Sequence, residues 1–187
     1  MKKFELFPTP VIEFDFTDHP GIPPLLDCVN NLKVPPHSLL KNGVSSYENN
    51  NILFDPTQIS LRNDFQKAVD YYSQELKIRS SFIYSSWFNI LKKNGKVNVH
   101  HHGGNVVSGA FYPLLEEGTC NLIFRSPLHT TMNFIPTEPT SFNHFQKDTS
   151  IPIKQYHLYI FPSWLEHYTE ENKGDKRIVI SFNTKFY

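Results

Sequence analysis

VNVHHHGGNVVSGAFY, residues 97–112, is the stretch of sequence that decides the fold. Successive side chains of a β-strand point to opposite faces, so a strand here places His100 and His102 on one face and His101 on the other. Two imidazoles on one face of a strand can chelate a single metal ion. The glycine pair that follows lets the chain turn away without steric cost. The stretch therefore predicts part of a metal site built on a β-sheet.

A second segment, YHLYIFPSWLEHYTEENKGDKRIVISFN at residues 156–183, supplies the other candidates. His167 follows a Pro-Ser corner, and Arg177 opens a strand ten residues later. A hairpin with its turn near residues 172–175 would bring Arg177 back alongside His167. An arginine that begins the polar face of an otherwise apolar strand suits a bidentate clamp for a buried carboxylate. We therefore expect His167 to complete a metal site and Arg177 to bind an anion beside it.

Simpler interpretations stay open at this point. The three consecutive histidines could form a turn without metal, and Arg177 could make a surface salt bridge. A β-bulge in the first segment would also exchange the two faces, and His101 would then replace one member of the histidine pair.

The rest of the chain predicts helices before residue 80 and short strands after it. Periodic apolar side chains indicate an amphipathic helix from Thr57 to Lys77, capped by Asp55, and a shorter helix follows Pro23-Pro24. Opening strands are expected at 4–6 and 11–16. After residue 80, β-branched and aromatic runs alternate with Gly, Asn and Pro turns such as Lys93-Asn94-Gly95-Lys96, and the predicted strands are 80–92, 97–102, 106–115, 120–124, 155–161 and 177–186.

This pattern predicts a mainly β fold with N-terminal helices, arranged as a jelly roll. We expect one domain over residues 1–187, with helical support at 20–78 and a β core at 80–187. Residues 34–56 have turn chemistry, and residues 127–150 are polar, proline-bearing and long for a loop. These two segments are the candidates for substrate contact.

Charge and composition narrow the partners. The chain of 187 residues has 18 basic and 18 acidic side chains, so no global field attracts nucleic acid or an anionic membrane. No apolar run approaches the roughly 18 residues of a membrane span, and the start lacks a signal-peptide core. Cys28 and Cys120 lie far apart without metal-type spacing, which favours reduced thiols. These features favour a cytoplasmic protein that binds neither membrane nor nucleic acid.

Together the segments resemble the 2-oxoglutarate- and Fe(II)-dependent oxygenases, and more narrowly the small oxygenases of this kind found in bacteria and tailed phages. The resemblance covers most of the chain and implies a double-stranded β-helix, which is cupin-like. It rests on five motifs in order: Trp87-x-Asn89, His100-x-His102, Ser108-Gly109-x-x-Tyr112, Phe161–Leu165 with His167, and Arg177 with Ser181, Phe182 and Asn183.

The resemblance implies an iron site. His100, His102 and His167 would bind Fe(II), and no catalytic residue is expected beyond these ligands. The wider superfamily usually has a carboxylate where His102 stands, which gives a triad of two histidines and one carboxylate. A third imidazole leaves the site one unit more positive. That change alters redox potential and metal preference, and nitrogen-only ligation could favour zinc or copper.

The resemblance also implies a cosubstrate and a reaction. Arg177 would pair with the C5 carboxylate of 2-oxoglutarate, and the further cofactor-binding residues would be Asn89, Tyr112 and Ser181. The expected activity is a dioxygenase that hydroxylates a protein residue or a small molecule. The alternative is a cupin-like metal protein without 2-oxoglutarate chemistry, either a three-histidine dioxygenase or a non-catalytic jelly-roll domain. Such a cupin does not need an arginine at the position of Arg177.

Three further residues have structural interpretations. Trp87 and Trp164 are expected to pack in the core or at the Pro-Ser corner. Asn183 is expected to satisfy backbone groups at a strand end.

Overall fold

The computed structural model describes residues 1–2, 8–48, 51–131 and 146–187. Two α-helices occur in this part of the chain, α1 (Ile22–Asn31) and α2 (Ile59–Glu75), with short 3₁₀ turns at Ile52–Phe54 and Pro56–Gln58. The described strands are β1 (Ile12–Asp15), β2 (Leu40–Ser45), β3 (Ser81–Val97), β4 (Val107–Leu115), β5 (Leu122–Arg125), β6 (Asp148–Ile151), β7 (His157–Pro162), β8 (His167–Thr169) and β9 (Lys176–Phe186).

The strands form two antiparallel sheets that share an apolar interior. The large sheet has the order β1-β7-β4-β9-β3-β2, and the small sheet has the order β6-β5-β8. Tyr112 and Phe161 from the large sheet pack in one buried cluster with Leu122 and Phe124 from the small sheet. This arrangement confirms the predicted mainly β fold with N-terminal helices.

The helices cover the outer face of the large sheet. Phe65 of α2 is fully buried, and its ring centroid lies 5.0 Å from that of Phe111 and 5.8 Å from that of Phe182. The predicted helix is confirmed as α2, whereas Asp55 caps the 3₁₀ turn Pro56–Gln58 directly before it, since its side chain accepts a hydrogen bond of 2.9 Å from the backbone N–H of Thr57. No helix in the described segments is long and apolar enough to cross a membrane.

Strand β9 is central because its two faces serve different parts of the molecule. It lies between β4 and β3, with alternating side chains as predicted. Ile178, Ile180 and Phe182 belong to the core beneath the helices. The opposite face carries Arg177, Val179, Ser181 and Asn183 towards the interior between the sheets. The strand therefore connects the helix-covered core with the polar interior.

Two local predictions are wrong. The segment 93–96 does not reverse the chain, because β3 continues through it as an irregularity in which Asn94 has a φ of 61°. The loop at Asn172 pairs with this irregularity: Asn94 N–H donates to Asn172 O at 2.6 Å, and Asn172 N–H donates to Gly95 O at 2.7 Å. Segment 34–56 is not all turn, since it contains the edge strand β2. The predicted strand at 4–6 lies outside the described residues.

The predicted hairpin between His167 and Arg177 is also wrong. β8 pairs with β5 in the small sheet, whereas β9 pairs with β3 and β4 in the large sheet. The intervening chain therefore crosses from one sheet to the other, and the contacts of Asn172 with the irregular part of β3 hold that crossing in place. His167 and Arg177 still line one cavity, because the two sheets face each other across it.

Gly109 offers a test of the packing between β4 and β9. It pairs with Phe182 in the ladder, and a Cβ atom at Gly109 would overlap the Phe182 ring. We predict that Gly109→Ala lowers the free energy of unfolding by about 1–3 kcal/mol, because the ring is fully buried and has little room to move. Chemical denaturation measures this change.

Gly103→Ala is the matched control, because its added methyl group meets only the ring of exposed His101. We expect the control to stay within about 0.5 kcal/mol of the native protein. A Gly109→Ala protein as stable as the control would contradict this packing.

Candidate metal centre

Three histidines from separate parts of the fold converge between the sheets. His100, His102 and His167 each offer one ligand nitrogen, and these atoms all lie within 4.8 Å of one another. His101 is exposed and does not belong to this cluster. The three residues predicted from sequence are therefore brought together, and the residue that a β-bulge would have substituted is not among them.

Backbone hydrogen bonds hold the cluster. His100 N–H donates to His167 O at 3.1 Å, and His167 N–H donates to His100 O at 2.9 Å. His102 N–H donates to Ser163 O at 2.8 Å. His100 makes an isolated bridge beyond the end of β3, so the predicted strand 97–102 is not regular. The faces of the first two histidines are fixed by these long-range bonds rather than by strand alternation.

Each imidazole is oriented by a bond at its Nδ1 atom. The acceptors are carbonyl oxygens: the backbone oxygens of Asn98 and Leu165, each at 2.9 Å, and the side-chain Oδ1 of Asn183 at 2.6 Å. A carbonyl oxygen only accepts, so each Nδ1 carries the proton and each Nε2 keeps a free lone pair. This second bond at the far nitrogen is typical of metal-ligating histidines.

The electrostatic state of the cluster also suits a metal. Burial lowers the pKa of all three imidazoles, to about 4 for His102 and well below the usual value for His167. They are therefore neutral near pH 7 and can donate electron pairs. The cluster contains no carboxylate among the described residues. Three neutral nitrogen donors fit a divalent transition metal such as iron, nickel or zinc.

Arg177 lines a narrow cavity of about 40 Å³ beside the histidines. Its side chain is 1% exposed, and its guanidinium carbon lies 4.8 Å from the centre of the Tyr112 ring. The buried Nε has no hydrogen-bond partner, and within the described segments no carboxylate lies at ion-pair distance from the guanidinium. The surface salt bridge considered from the sequence is therefore not formed with any described residue.

The other predicted cofactor-binding residues line the same inner cavity. Burial raises the pKa of Tyr112 to about 12, so its phenol stays protonated and can donate a hydrogen bond. Asn89 and Ser181 line both the inner cavity and a wider outer pocket of about 530 Å³. These two residues therefore lie at the junction of the inner cavity and the outer pocket.

The outer pocket opens the histidine cluster to solvent. The rings of Tyr47 and Trp87 meet edge to face at 5.0 Å, and His37 packs on the other side of Tyr47 at 5.6 Å. No Asp, Glu, Lys or Arg is among its described lining residues. Part of segment 34–56 thus lies at the pocket, whereas residues 132–145 lie outside the described chain. Trp87 is packed as expected, but Trp164 is 52% exposed, so its predicted packing is wrong.

Sequence reasoning missed the polar group behind His102. Asn183 accepts from the imidazole instead of capping a strand end, and Ser108 Oγ donates to Asn183 Oδ1 at 2.7 Å. Ser108 also contacts Ser163 Oγ at 2.8 Å. The available signal was that Ser108 and Asn183 are polar residues at inward positions of otherwise apolar strands. One sequence does not show that β4 and β9 pair so that these two residues lie opposite each other.

The sequence similarity of this chain to known proteins is found at the level of a protein family. A family model described as "Putative 2OG-Fe(II) oxygenase" matches residues 85–183. No curated protein sequence gives a significant match.

Solved structures share the fold at low sequence identity. HygX from Streptomyces hygroscopicus, with nickel and 2-oxoglutarate bound, aligns with a TM-score of 0.65 and 10% identity over 95% of this chain and 83% of its own. A Pseudomonas putida prolyl-4-hydroxylase gives 0.63 and 10% over 96% and 94%, respectively. The viral collagen prolyl hydroxylase of Paramecium Bursaria Chlorella virus-1, a 2-oxoglutarate complex, gives 0.62 and 13% over 95% and 96%. These matches confirm the predicted double-stranded β-helix.

The cluster makes a direct prediction about metal binding. Changing a residue behind a ligand typically costs 10- to 100-fold in affinity, so His167→Ala, which removes a ligand, should weaken Co(II) binding by more than about 100-fold. Spectroscopic titration of the metal-free protein with Co(II) measures this loss. His101→Ala is the matched control and should bind Co(II) as the native protein does. A His167→Ala protein that bound Co(II) as tightly as the control would place the metal elsewhere.

Proposed function

This chain belongs to the family of 2-oxoglutarate- and Fe(II)-dependent oxygenases, whose model spans more than half of its length, and we propose which of its residues serve that chemistry. His100, His102 and His167 hold Fe(II), and Arg177 holds 2-oxoglutarate. The protein is accordingly an enzyme that depends on both. The reaction we propose is hydroxylation, as in the sequence-based expectation.

The observation that carries the assignment of Arg177 is its buried charge. Removing a guanidinium from water is costly unless an anion compensates it. The described lining of the inner cavity has no Asp or Glu, so the compensating charge must come from a ligand. A dicarboxylate supplies it: one carboxylate pairs with Arg177, and the other lies at the metal.

The neighbouring polar groups support the same pose. Tyr112 lies against Arg177 and, as a protonated phenol, donates a hydrogen bond to the carboxylate that the guanidinium binds. Asn89 and Ser181 bind the cosubstrate nearer the outer pocket. Because the three imidazoles are neutral, they offset neither of the two charges of a bound divalent metal, and the cosubstrate carboxylate beside the metal would balance one of them.

Fe(II) and 2-oxoglutarate together supply oxygen activation, in which O₂ is consumed, 2-oxoglutarate becomes succinate and CO₂, and one oxygen atom enters a C–H bond of the substrate. The contribution of the chain is placement. The histidines would fix the position of the metal, and Arg177 would hold the carboxylate of 2-oxoglutarate that lies far from the metal. The apolar side chains around the inner cavity exclude water.

The substrate enters through the outer pocket and is a small molecule or a peptide. The pocket has an aromatic face at Tyr47 and Trp87 but no charged side chain among its described residues. The reacting part of the substrate is therefore uncharged. Succinate release measured across neutral and charged compounds tests this inference. A good substrate with a charge next to its oxidised carbon would contradict it.

We place the enzyme in the cytoplasm. Both cysteines are free thiols in the structure, and a reducing compartment preserves thiols as well as Fe(II). Recovery of the native protein with oxidised cysteines from an extracytoplasmic fraction would contradict this placement.

Arg177 is tested by its effect on cosubstrate affinity. We predict that Arg177→Leu raises the Kd for 2-oxoglutarate by about 30-fold or more, since losing one partner of a buried charge pair costs about 2 kcal/mol or more. Calorimetric titration of Co(II)-loaded protein without oxygen measures this Kd. Co(II) binding itself should be unchanged.

Arg125→Leu is the matched control, because Arg125 pairs with Asp148 at 3.0 Å and does not line the inner cavity. We expect its Kd for 2-oxoglutarate to equal that of the native protein. If Arg177→Leu also kept the native Kd, the arginine would have no cosubstrate role. Metal binding without any 2-oxoglutarate binding in the native protein would instead support the cupin-like alternative.

A further inference from the structure

We propose that Asn183 is a positioning residue that fixes the proton of His102 on Nδ1 and directs its Nε2 to the metal. The inference rests on the proposed metal centre and adds a residue that was not among the predicted site residues. Asn183 lies on the central strand β9, is 5% exposed, and accepts from His102 Nδ1 at 2.6 Å, closer than the Ser108 hydroxyl, which lies 3.1 Å from the same nitrogen.

The carbonyl oxygen of Asn183 is fully used. Oδ1 accepts from His102 Nδ1 at 2.6 Å and from Ser108 Oγ at 2.7 Å. An amide oxygen has two lone pairs, so these two donors saturate it. Ser108 spends its one proton on Asn183 and can then accept from Ser163 Oγ, which lies 2.8 Å away. The serines thus support the amide from the side opposite to the imidazole.

Binding of a metal at Nε2 of His102 requires one of the two orientations of this amide. If the amide were rotated by half a turn, its NH₂ group would face His102 Nδ1, which would then have to accept. The imidazole proton would move to Nε2 and point at the other two imidazoles. That tautomer cannot bind a metal. With Oδ1 facing His102, the hydroxyl of Ser108 donates to the same oxygen, and the imidazole keeps the tautomer whose Nε2 can bind the metal.

His102 needs this support more than the other two ligands do. His100 and His167 are joined by two backbone hydrogen bonds and orient their rings on backbone oxygens. His102 has one backbone bond, to Ser163, and lies outside the regular strands, directly before a glycine pair. Its ring direction therefore depends on side chains, with Asn183 as the nearer contact and Ser108 behind it.

The chemical type of the anchor matters as well as its place. A carboxylate behind a ligating imidazole increases its basicity, whereas a neutral amide does so much less. Asn183 therefore leaves His102 a neutral ligand, at the position where the wider superfamily usually has a carboxylate.

The Nδ1 protons can be observed directly in the Co(II)-loaded protein. Proton NMR of such a site shows each ligand N–H as a strongly shifted signal that disappears in D₂O. We expect three such signals in the native protein. Asn183→Leu, which has a similar volume and no acceptor, should lose the His102 signal and weaken Co(II) binding about 10- to 100-fold.

Asn183→Asp keeps the acceptor and adds charge. We expect it to retain all three signals, with only the His102 signal displaced, and to bind Co(II) at least as tightly as the native protein. If Asn183→Leu fails to fold, the displacement of the His102 signal in Asn183→Asp still tests the role of this residue. The matched control is Ser181→Ala, two residues away on the same face of β9. It should leave the three signals unchanged in the absence of 2-oxoglutarate.

Two results would overturn the inference. One is an Asn183→Leu protein with three native signals and native Co(II) affinity, and the other is an Asn183→Asp protein whose His102 signal does not move. Failure of the native protein to bind Co(II) at all would refute the metal centre itself. The failure of Asn183 alone is therefore distinguishable from failure of the proposed function.

Discussion

The paired backbone hydrogen bonds between His100 and His167 join the two sheets where the metal ligands lie. One partner follows the last residues of β3 in the large sheet, and the other begins β8 in the small sheet. Because each residue gives its N–H and its carbonyl to the other, the two rings are held on one side of the bridge, 4.2 Å apart between centroids. The third imidazole and the cavity of Arg177 are arranged around this fixed pair.

The charge distribution follows from that construction. The cluster has three neutral imidazoles, and the adjoining cavity contains a buried guanidinium with no carboxylate among its described neighbours. Both parts carry or would acquire positive charge, and burial makes that charge expensive to leave uncompensated. A dianionic cosubstrate would offset one positive charge at Arg177 and one at the metal. The low pKa values of the histidines have the same origin in burial, so metal binding and anion binding depend on the same buried interior.

Which residues converge between the sheets was easier to predict from the sequence than how the strands pair. Residue type and spacing are visible in a single sequence, and they were enough to predict which side chains come together: His100, His102, His167 and Arg177. The alternation of faces along β9 could be predicted because the apolar residues of one face recur without interruption. The hairpin was wrong because pairing of β8 with β5 is set by contacts about forty residues apart. The Asn-Gly pair of β3 was misread as a turn, since its pairing with the Asn172 loop is long-range. The contact of Asn183 with His102 was missed for the same reason, because it depends on a long-range pairing that places Ser108 opposite Asn183.

The account is tested most directly by anaerobic titration of the native protein with Fe(II) and then 2-oxoglutarate, monitored by visible absorption. A chelate of 2-oxoglutarate on a three-histidine Fe(II) site should produce a metal-to-ligand charge-transfer band that saturates at one cosubstrate per iron. A fully iron-loaded protein that developed no such band at saturating 2-oxoglutarate would contradict the assignment of this interior as the site where metal and cosubstrate meet.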